Sequence, residues 1–313
     1  MNIFCHVPKE NWICDRIGNE YLSHSSHNVS CKELNKDTEI IWLLGSWCWN
    51  QIHPQALLSK KVVCTIHHEV PEKFDQTRLN NFKNRDRFVD VYHVPCKKTH
   101  DFIKRFTEKP IKILSYWVNP DLWMCRDLKE MKEKYEISHD KFVVGSFQRD
   151  TEGHDLKSPK LEKGPDRFCD YVEKLSSEGK NVHVLLNGWR RQYVINRLSS
   201  KKIPYTYIEL PPIKTVSEMY SACDLYVVGS RYEGGPQSIL ECAISKVPIV
   251  STDVGIASNI LPKSCIIDMD SEYTTYIPTQ DDIDVCFINA QRFLLSDYAK
   301  LYDSFFEEVL EIK

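Results

Sequence analysis

The first candidate for chemistry is a pair of glutamates, Glu233 and Glu241, which lie eight positions apart around a glycine–proline turn. An apolar strand pattern, DLYVVGS, comes directly before the turn, and a helix pattern follows it. In open parallel sheets, ligands bind at the carboxyl ends of the strands, so both carboxylates could face one ligand. Carboxylates suit the hydroxyl groups of a sugar, which are neutral hydrogen-bond donors. An isolated pair at this spacing is more often an ordinary β–α turn with exposed acids.

The turn between the two glutamates predicts an anion site. A helix should begin near Pro236, because proline suits the first helical turn. The exposed backbone N–H groups of Gln237 and Ser238 would then bind an anion, helped by the helix dipole. Gly234 and Gly235 would let a ligand approach the backbone closely. Phosphates would therefore bind the amides, and sugar hydroxyls would bind the carboxylates.

The elements that must position these residues follow from an alternation of short apolar runs and amphipathic stretches. This alternation predicts an α/β fold in which parallel sheets carry helices on both faces. Because the predicted strands fall into two series, two doubly wound domains are expected rather than one sheet. The strands are Asn2–Val7, Ile40–Leu44, Lys61–Ile66, Val89–Val94 and Ile111–Tyr116, followed by Lys141–Phe147, Val182–Asn187, Tyr205–Leu210, Asp224–Ser230, Val247–Thr252 and Ser264–Met269.

The boundary between the two domains is predicted near WVNPDLWM, an Asn-Pro stretch that suits a connection. The first domain then covers residues 1–117 and the second covers residues 118–282. Residues 283–313 show a helical period without further strands. A terminal helix of that length could pack back against the first domain.

Charge is distributed unevenly along the chain. The formal net charge is −3, but residues 1–118 carry +4 and residues 119–313 carry −7. The basic half could face an anionic acceptor or a membrane surface, although solvated helix faces also explain it. The sequence contains no basic–aromatic stripe of the kind that indicates nucleic-acid binding.

The twelve cysteines are spread evenly, with no CxxC pair and no Cys/His cluster at zinc spacing. They are therefore expected to be reduced thiols, mostly small buried hydrophobes, and no structural metal is predicted. No signal peptide or membrane-spanning run is apparent. A cytoplasmic location is expected, either in solution or peripheral to a membrane through the basic first domain.

The stretch SRYEGGPQSILECAISKVPIVSTDVG resembles the donor-site signature of retaining GT-B glycosyltransferases, in particular family 4 (glycosyl transferases group 1), with its E-x7-E motif. The similarity extends upstream through MYSACDLYVVGS. It implies a GT-B fold, in which two Rossmann-like domains face a central cleft. The first domain would hold the acceptor, the second would bind the nucleotide sugar, and the C-terminal helix would return to the first.

The resemblance also implies roles for individual residues. Glu233 matches the glutamate that contacts hydroxyls of the transferred sugar, and Glu241 matches the glutamate that holds the nucleotide ribose. Gly235, Gln237 and Ser238 match the turn whose backbone meets the sugar and the diphosphate.

Two cations are expected after the first strand of the second domain, where family members carry an arginine and a lysine. Arg149 and Lys163 are the best matches, and they would clamp the diphosphate and stabilise the leaving group. Their spacing is longer than is usual in the family, so Lys157 or Lys160 could substitute. Solubility of the loop is the alternative explanation for these charges.

The first domain resembles the family more loosely. KVVCTIHHEV is similar to a strand whose histidine points towards the donor sugar; His67 takes that place, and His68 is the neighbour that could be confused with it. In the second domain, the loops Asn187–Tyr193 and Glu209–Thr215 are candidates for binding the base and ribose, and backbone groups near Leu210 could read the base edge. An isolated His-His pair is otherwise more often structural or exposed.

One loop departs from the family pattern. Many members carry paired glycines after the first strand, whereas this chain reads HVPKENWICDRIGNE. Lys9, Asn11, Trp12 and Arg16 occupy the region instead. Acceptor binding is therefore expected to be unusual, and the sequence does not define it.

The activity implied by the resemblance is retaining transfer of a hexose-type sugar from a UDP- or GDP-sugar to a glycan, a lipid-linked acceptor or a small acceptor. No cofactor or metal is expected, because a helix N-terminus with an arginine and a lysine can neutralise the departing diphosphate. The string DMD, Asp268–Asp270, lies outside a metal-binding context. The alternatives are a GT-B-like epimerase or phosphorylase, and a non-catalytic nucleotide-sugar binder or subunit.

Overall fold

The computed structural model describes residues 1–10 and 12–312, so the expectation for Asn11 lies outside the described residues. The chain divides into two compact units. Unit 1 is Met1–Trp117 together with the segment that begins at Phe293, and unit 2 is Val118–Arg292. The predicted terminal segment, 283–313, is thus shared between the units, because it contains two helices rather than one.

Unit 1 contains a parallel six-stranded sheet with the strand order β2-β1-β3-β4-β5-β6. Its central strands are buried, as continuous apolar runs require when helices cover both faces. The elements are β1 (Asn2–His6), α1 (Ile13–His24), β2 (Asn28–Ser30), β3 (Ile40–Leu43), α2 (Pro54–Ser59), β4 (Lys61–Thr65), α3 (Gln76–Asp86), β5 (Val91–Val94), α4 (Lys97–Ile103) and β6 (Ile111–Ile113).

Unit 2 contains a parallel five-stranded sheet with the order β11-β10-β7-β12-β13, and a short antiparallel hairpin, β8–β9. Its elements are α5 (Leu128–Lys134), β7 (Phe142–Ser146), β8 (Thr151–Glu152), β9 (Ser158–Pro159), α6 (Pro165–Ser177), β10 (Val182–Asn187), α7 (Gln192–Ser200), β11 (Tyr205–Ile208), α8 (Ile213–Ser221), β12 (Leu225–Val228), α9 (Gln237–Ile244), β13 (Ile249–Ser251), α10 (Ala257–Ile260) and α11 (Gln280–Ala290).

The last helix, α12 (Leu295–Glu311), belongs to unit 1 and completes its core. Its Tyr302 and Phe306 pack against the indole of Trp42 on β3, with ring centroids 5.6 and 5.2 Å apart. Asp303 accepts a 2.7 Å hydrogen bond from the buried Tyr21 hydroxyl. Aromatic pairs of this kind contribute about 0.5–1.5 kcal/mol each beyond burial, so α12 stabilises the sheet it covers.

Some predicted strands differ from those observed. Residues 264–269, all of them described, form no strand; a 3-10 turn at Lys263–Cys265 and one bridge between Ser251 and Ile266 take their place. Three observed strands had no prediction: the polar edge strand β2 and the two strands of the β8–β9 hairpin. Each is three residues or fewer, too short to show a strand period.

The start of α11 is fixed by a capping box between Thr279 and Asp282. The Asp282 carboxylate also accepts hydrogen bonds from Tyr276 and Ser264, at 2.6 and 2.7 Å. Burial raises the pKa of Asp282, but the hydrogen bonds from Tyr276, Ser264 and Thr279 outweigh it and lower the pKa to about 2. The carboxylate is therefore a charged structural group of unit 2.

Candidate functional site

The candidate site lies where the strand order of unit 2 reverses. From β7 the chain proceeds to β10 and β11 on one side of the sheet, and then to β12 and β13 on the other. Because β7 and β12 are parallel neighbours, the loops that follow them leave the sheet at the same edge. Ligands of doubly wound sheets bind at such a switch point. These two loops carry Lys163 and Glu233.

Lys163 and Glu233 meet in an ion pair, with 2.6 Å between Nζ and Oε1. Their side chains are 17% and 9% exposed, so the pair is largely shielded from water. The Ser230 hydroxyl donates to the same Glu233 oxygen at 3.0 Å, and the Gln148 amide donates to the Lys163 carbonyl at 2.8 Å. The structure thus brings together two of the predicted site residues.

A second lysine lies close to this pair. Burial lowers the pKa of Lys160, and the charges of Lys163 and Arg149 lower it further, while those of Glu162 and Glu233 raise it. Lys160 is half-buried, whereas Lys157 is exposed. Of the two lysines that could substitute in binding the diphosphate, Lys160 is therefore the one that interacts electrostatically with Lys163.

Arg149 is directed towards the neighbouring loop. Its Nε donates to the Thr151 carbonyl at 3.0 Å, and its guanidinium lies 5.1 Å from the Trp189 ring. Burial lowers its pKa, as does the nearby Arg190. Arg149 therefore contributes positive charge to the edge of the sheet, next to the loop that follows β10.

A buried ion pair fixes the end of that loop, directly before α7. Arg191 Nε lies 2.5 Å from Asp150 Oδ2, and Arg191 Nη1 donates to the Ser146 carbonyl at 2.5 Å. Both side chains are almost fully buried. The pair joins the loop after β7 to the loop after β10, and sequence reasoning missed it because the partners are 41 positions apart.

The two loops of the switch point are held together by Arg231. Its guanidinium binds the Asp166 carboxylate with two parallel bonds of 2.8 and 2.6 Å. Its backbone N–H donates to the Glu162 carbonyl at 2.9 Å, one residue before Lys163. Bidentate arginine–carboxylate pairs fix geometry as well as adding energy. Arg231 and Asp166 therefore position the Lys163–Glu233 pair, although neither was predicted.

Close backbone packing explains one glycine of this region. Gly164 has φ +60°, and a Cβ at this position would lie 1.8 Å from the Gly229 carbonyl oxygen. No side chain fits there, so the residue after Lys163 must be glycine. This contact sets the backbone of the Lys163 loop against the end of β12.

The glycine–proline turn leads directly into α9. The helix begins at Gln237, with Pro236 as its N-cap residue, one position later than the expected start near Pro236. Gln237 and Ser238 are half-buried in the first turn. Their backbone N–H groups occupy the end of the helix where the dipole favours an anion.

Gly234 and Gly235 form the bend between Glu233 and this helix. Gly234 is buried, and Gly235 is half-buried. A Cβ on the following loop, at Gly255, would lie 2.8 Å from the Gly234 carbonyl oxygen. The bend is therefore packed tightly against the loop that follows β13.

Glu241 lies on the buried face of α9 rather than at its exposed start. It accepts a 2.9 Å hydrogen bond from the Tyr220 hydroxyl. Burial raises the pKa of Tyr220 well above its usual value, and the Glu241 charge raises it further. Tyr220 therefore remains a neutral donor, and the role of Glu241 in holding ribose stays a prediction.

Leu210 lies in the loop after the edge strand β11. It is exposed and has φ +46°, a left-handed conformation that is uncommon for leucine. Its position two strands from β7 places it at the far side of the sheet from Glu233. Base recognition by its backbone stays a prediction.

His67 follows β4 in unit 1, where both ring nitrogens have hydrogen-bond partners. Nδ1 lies 2.6 Å from the Tyr116 hydroxyl, and Nε2 lies 2.7 Å from the Leu44 carbonyl and 3.4 Å from Cys14 Sγ. The Nε2–H tautomer satisfies this set, because a carbonyl can only accept. The ring is thus held in one orientation, and its predicted catalytic role stays a prediction.

Within residues 1–10 and 12–312, no group of three or more His, Cys, Asp or Glu side chains could hold a metal ion. None of the helices in this described part of the chain is long and apolar enough to span a membrane. The twelve cysteines all lie in the described part and form no disulfide, and ten are buried. Asp270 of the DMD string forms an ion pair with Arg167.

The match to a known protein family covers the region that contains the candidate site. Residues 156–281 match the sequence model of the family Glycosyl transferases group 1. This range includes Lys163, the glycine–proline turn and both glutamates. No curated protein sequence matches the chain.

Solved structures resemble the whole chain at low sequence identity. Anabaena HepE, in complex with UDP and glucose, has a TM-score of 0.77 at 13% identity, covering 98% of this chain and 99% of that chain. A glycosyltransferase from Rickettsia africae has a TM-score of 0.67 at 14% identity, with 100% and 99% covered. Sucrose-phosphate synthase from Thermosynechococcus elongatus has a TM-score of 0.66 at 14% identity, with 88% and 75% covered. The fold is therefore α/β of the GT-B type, with two Rossmann-like domains.

Proposed function

We propose that this protein is a retaining glycosyltransferase that transfers a hexose-type sugar from a nucleotide diphosphate sugar without a metal ion. The observation that carries the proposal is the Lys163–Glu233 pair, which places a cation and a carboxylate side by side at the switch point of unit 2. A diphosphate needs cations and a sugar needs hydrogen-bond acceptors, and this position supplies both.

Donor binding would divide among the groups of the switch point. Lys163, with Lys160 and Arg149 nearby, would neutralise the diphosphate, and the N–H groups that open α9 would bind its oxygens. Glu233 would accept hydrogen bonds from hydroxyls of the transferred sugar. Glu241 would hold the ribose, and backbone groups near Leu210 would read the base. A UDP-sugar is the first donor to test, because HepE was solved with UDP and glucose.

Transfer would depend on stabilising the leaving group. As the bond from the anomeric carbon to the phosphate oxygen breaks, negative charge would grow on the diphosphate, and Lys163 and the α9 amides would stabilise it. The acceptor oxygen would form the new bond to the anomeric carbon as the departing phosphate takes its proton, and His67 is proposed as a further catalytic residue. The acceptor would be a glycan, a lipid-linked acceptor or a small molecule.

The test begins with donor binding. A thermal-shift panel would combine UDP, GDP, ADP and CMP, each with its common sugars, with and without EDTA. Binding to the folded state raises the midpoint in proportion to RT ln(1 + [L]/Kd). We expect a shift with one base only and no effect of EDTA. No shift with any nucleotide would overturn the proposal, and loss of the shift in EDTA would overturn metal independence.

Turnover separates a transferase from a binder. Glu233→Ala and Lys163→Ala should each lower turnover by about 10²-fold or more, since each removes a group that acts on the donor. Lys129→Ala, which changes an exposed lysine of α5, is the matched control and should behave as wild type. Normal turnover in either site variant would contradict its role. Donor binding without turnover in any acceptor screen would indicate a non-catalytic subunit.

A further inference from the structure

Two tryptophans of unit 1 lie half-exposed at the same edge of its sheet. Trp12 is 47% exposed and follows β1, and Trp47 is 50% exposed and follows β3. Because β1 and β3 are parallel neighbours, the segments after them leave the sheet side by side. Large aromatic rings are costly to expose, so a pair at a ligand-binding sheet edge indicates a binding surface.

The Trp47 ring is held in place although one face meets solvent. Its indole Nε1 donates to Glu10 Oε1 at 3.4 Å, and its centroid lies 5.9 Å from the His67 ring. It also folds over Gly45, where a Cβ would lie 3.2 Å from two of its ring atoms. A ring fixed on three sides loses little entropy when it binds a ligand.

The carboxylate of Asp15 holds three described backbone groups that follow β1. Asp15, in the first turn of α1, accepts hydrogen bonds from the backbone N–H groups of Lys9, Glu10 and Trp12, at 3.0, 3.0 and 3.4 Å. Lys9 has φ +58°, a conformation that such bonds can hold against its intrinsic cost. Asp15 therefore holds the backbone of Lys9, Glu10 and Trp12 in place.

Polar groups surround the two rings. Glu10 is exposed, and its carboxylate can accept further hydrogen bonds. At the end of β1, His6 Nε2 lies 3.1 Å from Gln51 Oε1. The surface thus combines flat apolar faces with hydrogen-bonding groups at their edges.

We propose that Trp47 and Trp12 bind a pyranose ring of a saccharide, with Glu10 accepting hydrogen bonds from its hydroxyls. The axial C–H bonds of a pyranose form an apolar face that matches the negative face of an indole, and its hydroxyls point outward to polar partners. A lipid chain would leave Glu10, His6 and Gln51 facing hydrocarbon, which is unfavourable. That this saccharide is the acceptor rests on the proposed glycosyltransferase function; its binding to unit 1 does not.

The experiment follows the indole N–H signals of the seven tryptophans by ¹H–¹⁵N NMR of the full chain, each assigned by a Trp→Phe variant. The probes are the methyl glycosides of glucose, galactose and mannose, and N-acetylglucosamine, with sorbitol as an acyclic control. Titration to about 50 mM reveals dissociation constants in the millimolar range. We expect the Trp47 and Trp12 signals to shift with at least one pyranoside and not with sorbitol.

Variants then separate stacking from general effects. Trp47→Ala should lower the affinity for the pyranoside about tenfold. Trp47→Phe should lower this affinity less, because phenylalanine keeps an aromatic face. Trp49→Phe is the matched control in the same 3-10 segment, since its indole binds Asn81 at 2.9 Å and packs on Phe88. If no probe shifts either signal, or if Trp47→Ala binds as wild type, the inference is wrong.

The two proposals fail separately. Trp12→Ala provides a second test should Trp47→Ala fold poorly, as judged by circular dichroism, and it too should weaken pyranoside binding. UDP binding, measured on the same samples, should be unchanged in both variants, because the donor groups lie in unit 2. Pyranoside binding in a protein that binds no nucleotide would sustain this inference and overturn the glycosyltransferase proposal.

Discussion

Replacing Glu233 with glutamine removes the carboxylate that neutralises Lys163 but keeps the shape of the side chain. In the structure the Lys163 ammonium is bound to Glu233 at 2.6 Å. A diphosphate that binds Lys163 must therefore compete with this carboxylate. Glu233→Gln should weaken that competition, and so bind UDP more tightly than wild type, while transferring sugar more slowly.

The magnitude follows from the geometry of the pair. At 2.6 Å and an effective dielectric constant of about 20, the Coulomb attraction is about 6 kcal/mol, most of which the desolvation of the two groups cancels. The net contribution of a hydrogen bond to a charged group is about 1.5–3 kcal/mol. Since about 1.4 kcal/mol corresponds to a factor of ten, UDP affinity should rise between tenfold and a hundredfold.

The assay is calorimetric titration of UDP at a fixed ionic strength near 0.15 M, where surface charges are largely screened. Glu130→Gln makes the same charge change at an exposed site of α5 and controls for net charge. A UDP affinity equal to or below that of wild type, in a folded Glu233→Gln protein, would refute the placement of the diphosphate on Lys163.

Two further predictions concern groups outside the donor contacts. Arg231→Lys loses one of the two parallel bonds to Asp166, so it should lower kcat about tenfold and the free energy of unfolding by about 1 kcal/mol. Urea denaturation would show that the variant is folded. An unchanged kcat in the folded variant would mean that Arg231 has a structural role only. Asp282 has a folded pKa of about 2, below its unfolded value of about 3.9, so it stabilises the protein above pH 4 and this stabilisation is lost as the pH falls towards 2. Asp282→Asn should lower the free energy of unfolding at neutral pH, and this free energy should vary less between about pH 4 and 2 than it does in wild type. If the free energies of the two proteins fall in parallel over that range, the assignment is contradicted.

The sequence predicts the central strands well because they are continuous apolar runs, which parallel sheets with two covered faces require. The predicted strand Ser264–Met269 also contains an apolar run but forms only one bridge, between Ile266 and Ser251. Sequence periodicity cannot distinguish a run that forms a strand from one that forms a single bridge, because the rest of the sheet decides whether a neighbouring strand is available for pairing. The edge strand Asn28–Ser30 shows the converse: pairing with Asn2–Phe4 makes a polar tripeptide into a strand.

The same limit applies to the candidate site. Lys163 and Glu233 could be predicted from sequence motifs, and the structure brings them together although they are 70 positions apart. Arg231 and Asp166, which hold the two loops together, belong to no motif that predicts their pairing. They meet only because β7 and β12 are neighbours in the sheet. Glu241 is the intermediate case: its place in the motif was visible, but its burial against Tyr220 follows from helix packing.

We expect the charges around Lys163 to favour the binding of an anion. Lys160 lies close enough to Lys163 and Arg149 for their charges to lower its pKa, so both cations repel Lys160. Glu233 offsets part of this repulsion, and the tight contact of Gly164 with Gly229 and the Arg231–Asp166 pair keep the groups from moving apart. A diphosphate would relieve the same repulsion with two charges in place of one. The carboxylate of Glu233 would then be released to accept hydrogen bonds from sugar hydroxyls, so that one exchange of partners couples binding of the phosphates to binding of the sugar.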